Sequence, residues 1–210
     1  MFVSIFKKYF PYAVIVIASI LSCFVYLCNG VAAGDDIGFH LGMVNDLIYG
    51  FDHGYFGYFT NHLFIGGFAL YNYAYYGPVT HYGAAIYTYL FRGLGASPSD
   101  GLKFMIFASA ILGGIYMYKL ALKMSNGRRA IAIVCPIVIL LLPYRIFCAL
   151  ARCAYAESIA MSLIPMIFYG VYSFIHDEDY RVEPYVVFAS GAILIVLSHP
   201  FTALITVLFG

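Results

Sequence analysis

Apolar residues run along this chain in five blocks of membrane-spanning length, near 11–29, 101–122, 130–149, 157–175 and 184–208. Each approaches the ~20 residues a helix needs to cross a bilayer. A sixth run, 79–94, holds about fourteen apolar-leaning residues before Arg92 and includes His81 and several tyrosines. A run that short reads as interfacial or re-entrant. Between Asp36 and Phe51 the pattern changes. Ile37, Leu41, Val44, Ile48 and Phe51 recur at spacings of four, three, four and three, which predicts an amphipathic helix lying on the membrane surface.

These elements predict an all-α, polytopic transmembrane bundle, one domain over 1–210, with five spans and two interfacial helices near 36–51 and 79–94. Basic residues set its orientation. With 79–94 outside the bilayer, Lys7, Lys8, Lys119, Lys123, Arg128, Arg129 and Arg181 face the cytoplasm and four basic residues lie outside. With 79–94 spanning, the split falls to six against five. The first arrangement gives a cytoplasmic N-terminus, a plasma-membrane location and one extracytoplasmic segment, 30–100. Lys7-Lys8 precede an apolar run, Tyr12–Cys28, with no small-residue cleavage site, which reads as a retained signal anchor. The aromatic stretch Tyr55 to Tyr82, with Asn61, Asn72 and a Gly77-Pro78 turn, predicts an ordered loop over the membrane.

Composition agrees. Of 210 residues, 63% are hydrophobic and 10% charged, where soluble domains carry roughly a quarter charged. A net charge of +1 and the lack of a basic stripe exclude nucleic acid as a partner; the bilayer is the partner implied. Tyrosine (21) and phenylalanine (19) replace the absent tryptophan at the membrane interfaces. Five cysteines make no disulfide framework.

Candidate chemistry gathers on the outer side. Asp35 and Asp36 follow the first span, and His40 lies one helical turn after Asp36. A carboxylate there is also what an N-cap requires, and both readings stand. Arg145, Arg152, Glu157 and His199 fall at outer ends of spans, and five of the six histidines, His40, His53, His62, His81 and His199, share that side. Ionisable groups beside a membrane are costly and tend to be functional, although Arg152 and Glu157 read equally well as a structural ion pair or a snorkelling Arg. P-loop, G-x-G-x-x-G, H-E-x-x-H and G-x-S-x-G motifs are absent.

Four stretches carry a resemblance. Asp36-Ile-Gly-Phe39-His40-Leu41 resembles the D-x-x-F-H opening of the first outer loop in bacterial membrane proteins of the GT-C glycosyltransferase superfamily, the 6-pyruvoyl-tetrahydropterin-synthase-related membrane proteins. Tyr75-Tyr76-Gly77-Pro78 is similar to their G-Y-x-x-P. Pro143-Tyr144-Arg145, then Arg152-Cys-Ala-Tyr-Ala-Glu157 and Pro165, is similar to P-Y-R…R-G-A-x-A-E…P. Leu197-Ser198-His199-Pro200-Phe201-Thr202-Ala203-Leu204 is similar to L-S-H-x-x-T-A-L. Two departures are Met43, where an Arg is expected, and Cys153, where a Gly is expected. Family members also run longer, so the chain is read as the N-terminal portion of a longer protein.

The resemblance implies transfer of a sugar from a polyprenyl-phosphate donor to an acceptor at the extracytoplasmic face. That chemistry needs a carboxylate to take the acceptor's proton and a cation for the departing phosphate. Asp36 is the expected general base, and Asp35 its neighbour or a metal ligand. Arg152 is expected at the donor phosphate, with Glu157 orienting Arg152 or binding sugar hydroxyls. His40, His199 and Arg145 complete the expected substrate-binding set. A divalent ion at Asp35/Asp36 would be Mg²⁺ or Mn²⁺ by its oxygen ligation. The alternative is a non-catalytic membrane scaffold or lipid-binding protein of the same fold; a small transporter ranks last, because polar residues are sparse within the spans.

Overall fold

The computed structural model describes residues 2–24, 34–56 and 77–209, and no strand occurs among them. Helices α1 (Phe2–Ser22) and α2 (Ile37–Asp52) are followed by α3 (Pro78–Phe91), α4 (Pro98–Met124), α5 (Arg129–Leu140) and α6 (Pro143–Leu150). The chain continues with α7 (Tyr155–His176), α8 (Val182–Val196) and α9 (Pro200–Phe209). The end of the predicted 11–29 span, and the aromatic stretch 57–76 with Asn61, His62 and Asn72, lie outside the described residues.

Among the described residues three helical segments are long and apolar enough to cross a membrane: Pro98–Met124, Arg129–Leu150 and Tyr155–His176. Tyr9–Ser22, α8 and α9 are shorter apolar helices. Two predicted spans contain breaks, both at proline. The 184–208 block divides into α8 and α9 at Leu197-Ser198-His199, and the 130–149 block turns at Leu141–Leu142. Pro200 and Pro143 lack an N–H and push the preceding residue out of the helical region, so each begins a new helix. Helix α3 has 14 residues, about 21 Å of rise, which is short of the ~30 Å hydrocarbon core. The start of α4 is fixed by a capping box: the Ser97 N–H donates to Asp100 Oδ2 at 2.9 Å, and Pro98 occupies the first turn, satisfying donors a helix start leaves open.

Helix α7 is the centre of the bundle and packs most extensively on α4 and α8. Its buried residues Ile159, Ala160, Leu163 and Met166 share one core with Met43, Val44 and Leu47 of α2, Ala84 and Ala85 of α3, and Leu102 and Ile106 of α4. A second core joins Ile15 and Ala18 of α1 to Ala110, Tyr118 and Ala121 of α4 and Ala132 and Leu140 of α5. Small residues permit this closeness, as they do where membrane helices touch. At Gly113 an added Cβ would lie 1.7 Å from the Ser162 carbonyl oxygen. Gly113→Val is therefore expected to force α4 from α7 and destabilise the chain by about 3 kcal/mol, read as a lowered midpoint of unfolding in detergent.

Helix α2 forms as predicted, but its most buried face is rotated from the apolar stripe. Of the stripe Ile37, Leu41, Val44, Ile48 and Phe51, Val44 is fully buried and the other four pack partly against the core, while the most buried face is His40, Met43, Val44, Asp46, Leu47 and Gly50. Two polar side chains thus point inward. Helix α2 packs on α3 and α4, which gives that polar face a protein environment.

Candidate functional site

The chain direction gives the bundle two unlike ends. At one, Lys119 Nζ contacts Glu183 Oε1 at 2.6 Å and Lys123 pairs with Asp177, tying α4 to the start of α8 and to the loop before it. At the other lie the starts of α2, α3, α4 and α7 and the α8–α9 break. This second end holds the residues with candidate chemistry.

Backbone contacts assemble it. The Asp36 N–H donates to the Arg152 carbonyl at 3.0 Å, and the Val79 N–H donates to the Leu197 carbonyl at 2.9 Å. A Cβ on Gly34 would meet Ala151 O at 2.4 Å, and one on Gly77 would meet Leu197 O at 1.9 Å. Glycine is what lets both loops approach so closely. The start of α2 is thus fastened to the α6–α7 turn, and the start of α3 to the α8–α9 break.

At that turn Cys153 has φ +57°, the left-handed region in which a side chain costs about 1–2 kcal/mol. The bend allows the Ala154 N–H to reach Cys148 O at 2.8 Å, setting the direction of α7. The resemblance implies glycine at this position, and the positive φ gives a physical reason for it. Burial raises the Cys153 thiol above its ordinary pKa; the Asp36 and Asp35 charges act the same way. Cys153→Gly is expected to change stability by less than about 1 kcal/mol, because relief of φ offsets lost packing. Cys153→Val should cost about 2 kcal/mol or more. Thermal midpoints of the two variants test this.

Asp36 sits at the N-cap of α2 with φ −98° and ψ 0°, and its side chain makes no capping bond. Asp35 is exposed and Asp36 half-buried. Arg152 Nη1 donates to Glu157 Oε2 at 3.0 Å, and Tyr144 OH donates to Glu157 Oε1 at 2.8 Å. The Arg152–Glu157 pair that the sequence allowed is therefore formed. Asp36 is bound to the same turn through backbone, yet no ion pair joins its carboxylate to Arg152 among the described residues. His199 lies within electrostatic range of Glu157 and Arg152. Its Nδ1 lies 2.8 Å from Thr202 Oγ1 and accepts the Thr202 N–H at 3.3 Å, capping α9 and placing the imidazole proton on Nε2.

Two predicted site residues lie deeper. His40 is fully buried, with Nδ1 2.8 Å from His81 Nε2, and its ring lies 5.3 Å from that of Tyr155. Burial, and next the charge of His199, push the His40 pKa down to about 3; burial, then His40, push His81 well below the usual histidine value. The pair therefore joins α2 to α3 in the neutral state. Arg145 is 1% exposed and donates to Ser162 Oγ at 2.7 Å, Leu140 O at 3.1 Å and Ser22 Oγ at 3.4 Å. It fastens α1, α5 and α7 inside the bundle rather than standing at the rim with Arg152. Tyr144, Tyr155 and the partnership of His81 with His40 were not singled out from sequence. A signal existed for Tyr144, in the Pro143-Tyr144-Arg145 triplet.

A family model described as 6-pyruvoyl-tetrahydropterin synthase related domain, membrane protein, matches residues 73–209. The chain belongs to this family. The match spans α3 to α9 and includes Arg152, Glu157 and His199, whereas Asp35, Asp36 and His40 precede it. Neither a curated protein nor a solved structure matches the chain. Among the described residues no three His, Cys, Asp or Glu side chains converge to hold a metal ion.

Proposed function

We propose that this family member is the membrane domain of a GT-C-type glycosyltransferase, taking a sugar from a polyprenyl-phosphate donor at the extracytoplasmic face of the plasma membrane, with its N-terminus in the cytoplasm. The observation that supports the reading best is the rim where Asp36 is tied to Arg152 by backbone while its carboxylate does not pair with the guanidinium, which holds Glu157 instead, among the described residues. A ligand carrying both a proton to give and a phosphate to stabilise fits such a rim. In the proposed step the acceptor hydroxyl attacks the anomeric carbon and passes its proton to Asp36. The bond from that carbon to the phosphate oxygen breaks, and the polyprenyl phosphate departs against Arg152. His199 would supply its Nε2–H at the same rim, whereas His40, buried against His81, would act by holding α2 in place.

A divalent cation is part of the proposal. Asp35 and Asp36 fit Mg²⁺ or Mn²⁺, which bind through one or two carboxylates, with waters and substrate phosphate as further ligands. The cation would neutralise developing phosphate charge there.

The second reading is a non-catalytic scaffold or lipid-binding protein. It is favoured by Met43, which is completely buried where the resemblance expects an Arg. The test of the first reading is transfer of radiolabelled sugar from polyprenyl phosphate by the purified chain in proteoliposomes. Cysteines placed at positions 35 and 152 should label from the outside. No transfer together with outside labelling supports the scaffold, and cytoplasmic labelling removes the enzyme reading.

A further inference from the structure

Glu157 uses both of its oxygens: one takes Arg152 Nη1 at 3.0 Å, the other the Tyr144 hydroxyl at 2.8 Å. Arg152 makes one other bond, a long one from Nη1 to Cys148 Sγ at 3.8 Å. Its Nε and Nη2 donors make no hydrogen bond among the described residues. Guanidinium groups usually meet a carboxylate with two parallel bonds; here the contact is through one nitrogen. The phenol explains the difference. By holding Oε1, Tyr144 keeps the carboxylate from rotating to take a second guanidinium nitrogen. Helix α6 puts Tyr144 and Cys148 one turn apart on one face, and Arg152 follows in the turn, its Nη1 reaching back to Cys148 Sγ. Tyr144 is half exposed, so removing its hydroxyl opens no hole in the core.

We infer that Tyr144 is a positioning residue that holds Glu157 on a single nitrogen of Arg152, keeping the other guanidinium donors open for the phosphate of a lipid headgroup. The inference rests on the proposed phosphate role of Arg152 and adds what governs its strength. Without the phenol, Glu157 closes on Arg152 and competes with phosphate.

The experiment measures binding of short-chain phosphatidic acid, with phosphatidylcholine of the same chains as control, to the detergent-purified full chain by calorimetry. Tyr144→Phe is expected to weaken phosphatidic acid binding about tenfold, the equivalent of one charge-assisted hydrogen bond. Glu157→Gln should bind at least as tightly as wild type, because an amide competes poorly for the guanidinium. In the Glu157→Gln background, Tyr144→Phe should then have no further effect. A tenfold loss that persists in that background would mark Tyr144 as a packing residue and overturn the inference, as would wild-type affinity in Tyr144→Phe. Either result leaves the phosphate role of Arg152 standing. If wild type does not prefer phosphatidic acid, or Arg152→Gln binds it equally well, that role fails and the inference fails with it.

Discussion

Asp36→Asn is expected to lower the rate of sugar transfer by about two to four orders of magnitude, the usual contribution of a positioned general base. An alcohol is a weak nucleophile at neutral pH, and an amide cannot accept its proton. The structure makes the substitution a clean one. The link from residue 36 to Arg152 runs through the backbone N–H, and the carboxylate makes no capping bond, so neither contact depends on the group removed. Asparagine is itself a good N-cap. The unfolding midpoint of Asp36→Asn should therefore stay within about 0.5 kcal/mol of wild type, and KM should change by less than roughly threefold, because the lost interaction belongs to the transition state. Asp35→Asn, at the more exposed neighbour, should cost less than about tenfold. Initial rates and thermal midpoints on the same proteoliposome preparations check both. An Asp36→Asn rate equal to wild type would move the chain to the scaffold reading.

Hydrophobic periodicity gave the helices but not their breaks or the rotation of α2. Spans near 101–122 and 157–175 were legible because sustained apolar runs of that length have few alternatives. The divisions at Pro143 and Pro200 were signalled by the prolines themselves, but proline is common enough in membrane helices to be read as a kink. Helix α2 misled for a different reason. Counting apolar positions selects Ile37, Leu41, Val44, Ile48 and Phe51, of which only Val44 lies on the most buried face, while that face also carries His40 and Asp46. Hydropathy scores those two as outward-facing, and only tertiary partners reverse the score; for His40 that partner is His81, 41 residues away. The same separation hid the His pair.

The candidate site was legible to the extent that local chemistry marked it. Topology puts Asp36 and Arg152 on one side of the membrane, but nothing in sequence spacing brings residues 36 and 152 into contact. Their contact depends on Gly34 passing against the α6–α7 turn. Arg145 looked equivalent to Arg152 because both lie near a span end. The bundle separates them: Arg145 points between helices and Arg152 toward the rim.

Stability should fall as pH drops from 7.5 to 5.5, by roughly 1.4 kcal/mol for each histidine of the His40–His81 pair and no more than about 3 kcal/mol together. The sign follows from where the protons go. In the folded chain His40 has a pKa of about 3 and His81 lies well below the ordinary value of 6.5, so both stay neutral across this range. In the unfolded chain each takes up a proton as pH falls through about 6.5. The unfolded state then binds more protons, and stability rises with pH wherever that holds. The loss begins near pH 6.5 and continues toward pH 3, where His40 itself charges. Protonating both would put two cations 2.8 Å apart in a buried site, which separates α2 from α3 and releases the start of α2 that carries Asp36. Detergent unfolding midpoints at pH 7.5 and 5.5 measure the effect. His81→Gln keeps a hydrogen-bonding group for His40, and it should remove about half of the pH dependence while lowering stability at pH 7.5. Equal midpoints for wild type at the two pH values would mean that the pair is not held neutral, and α2 would then need a different fastening.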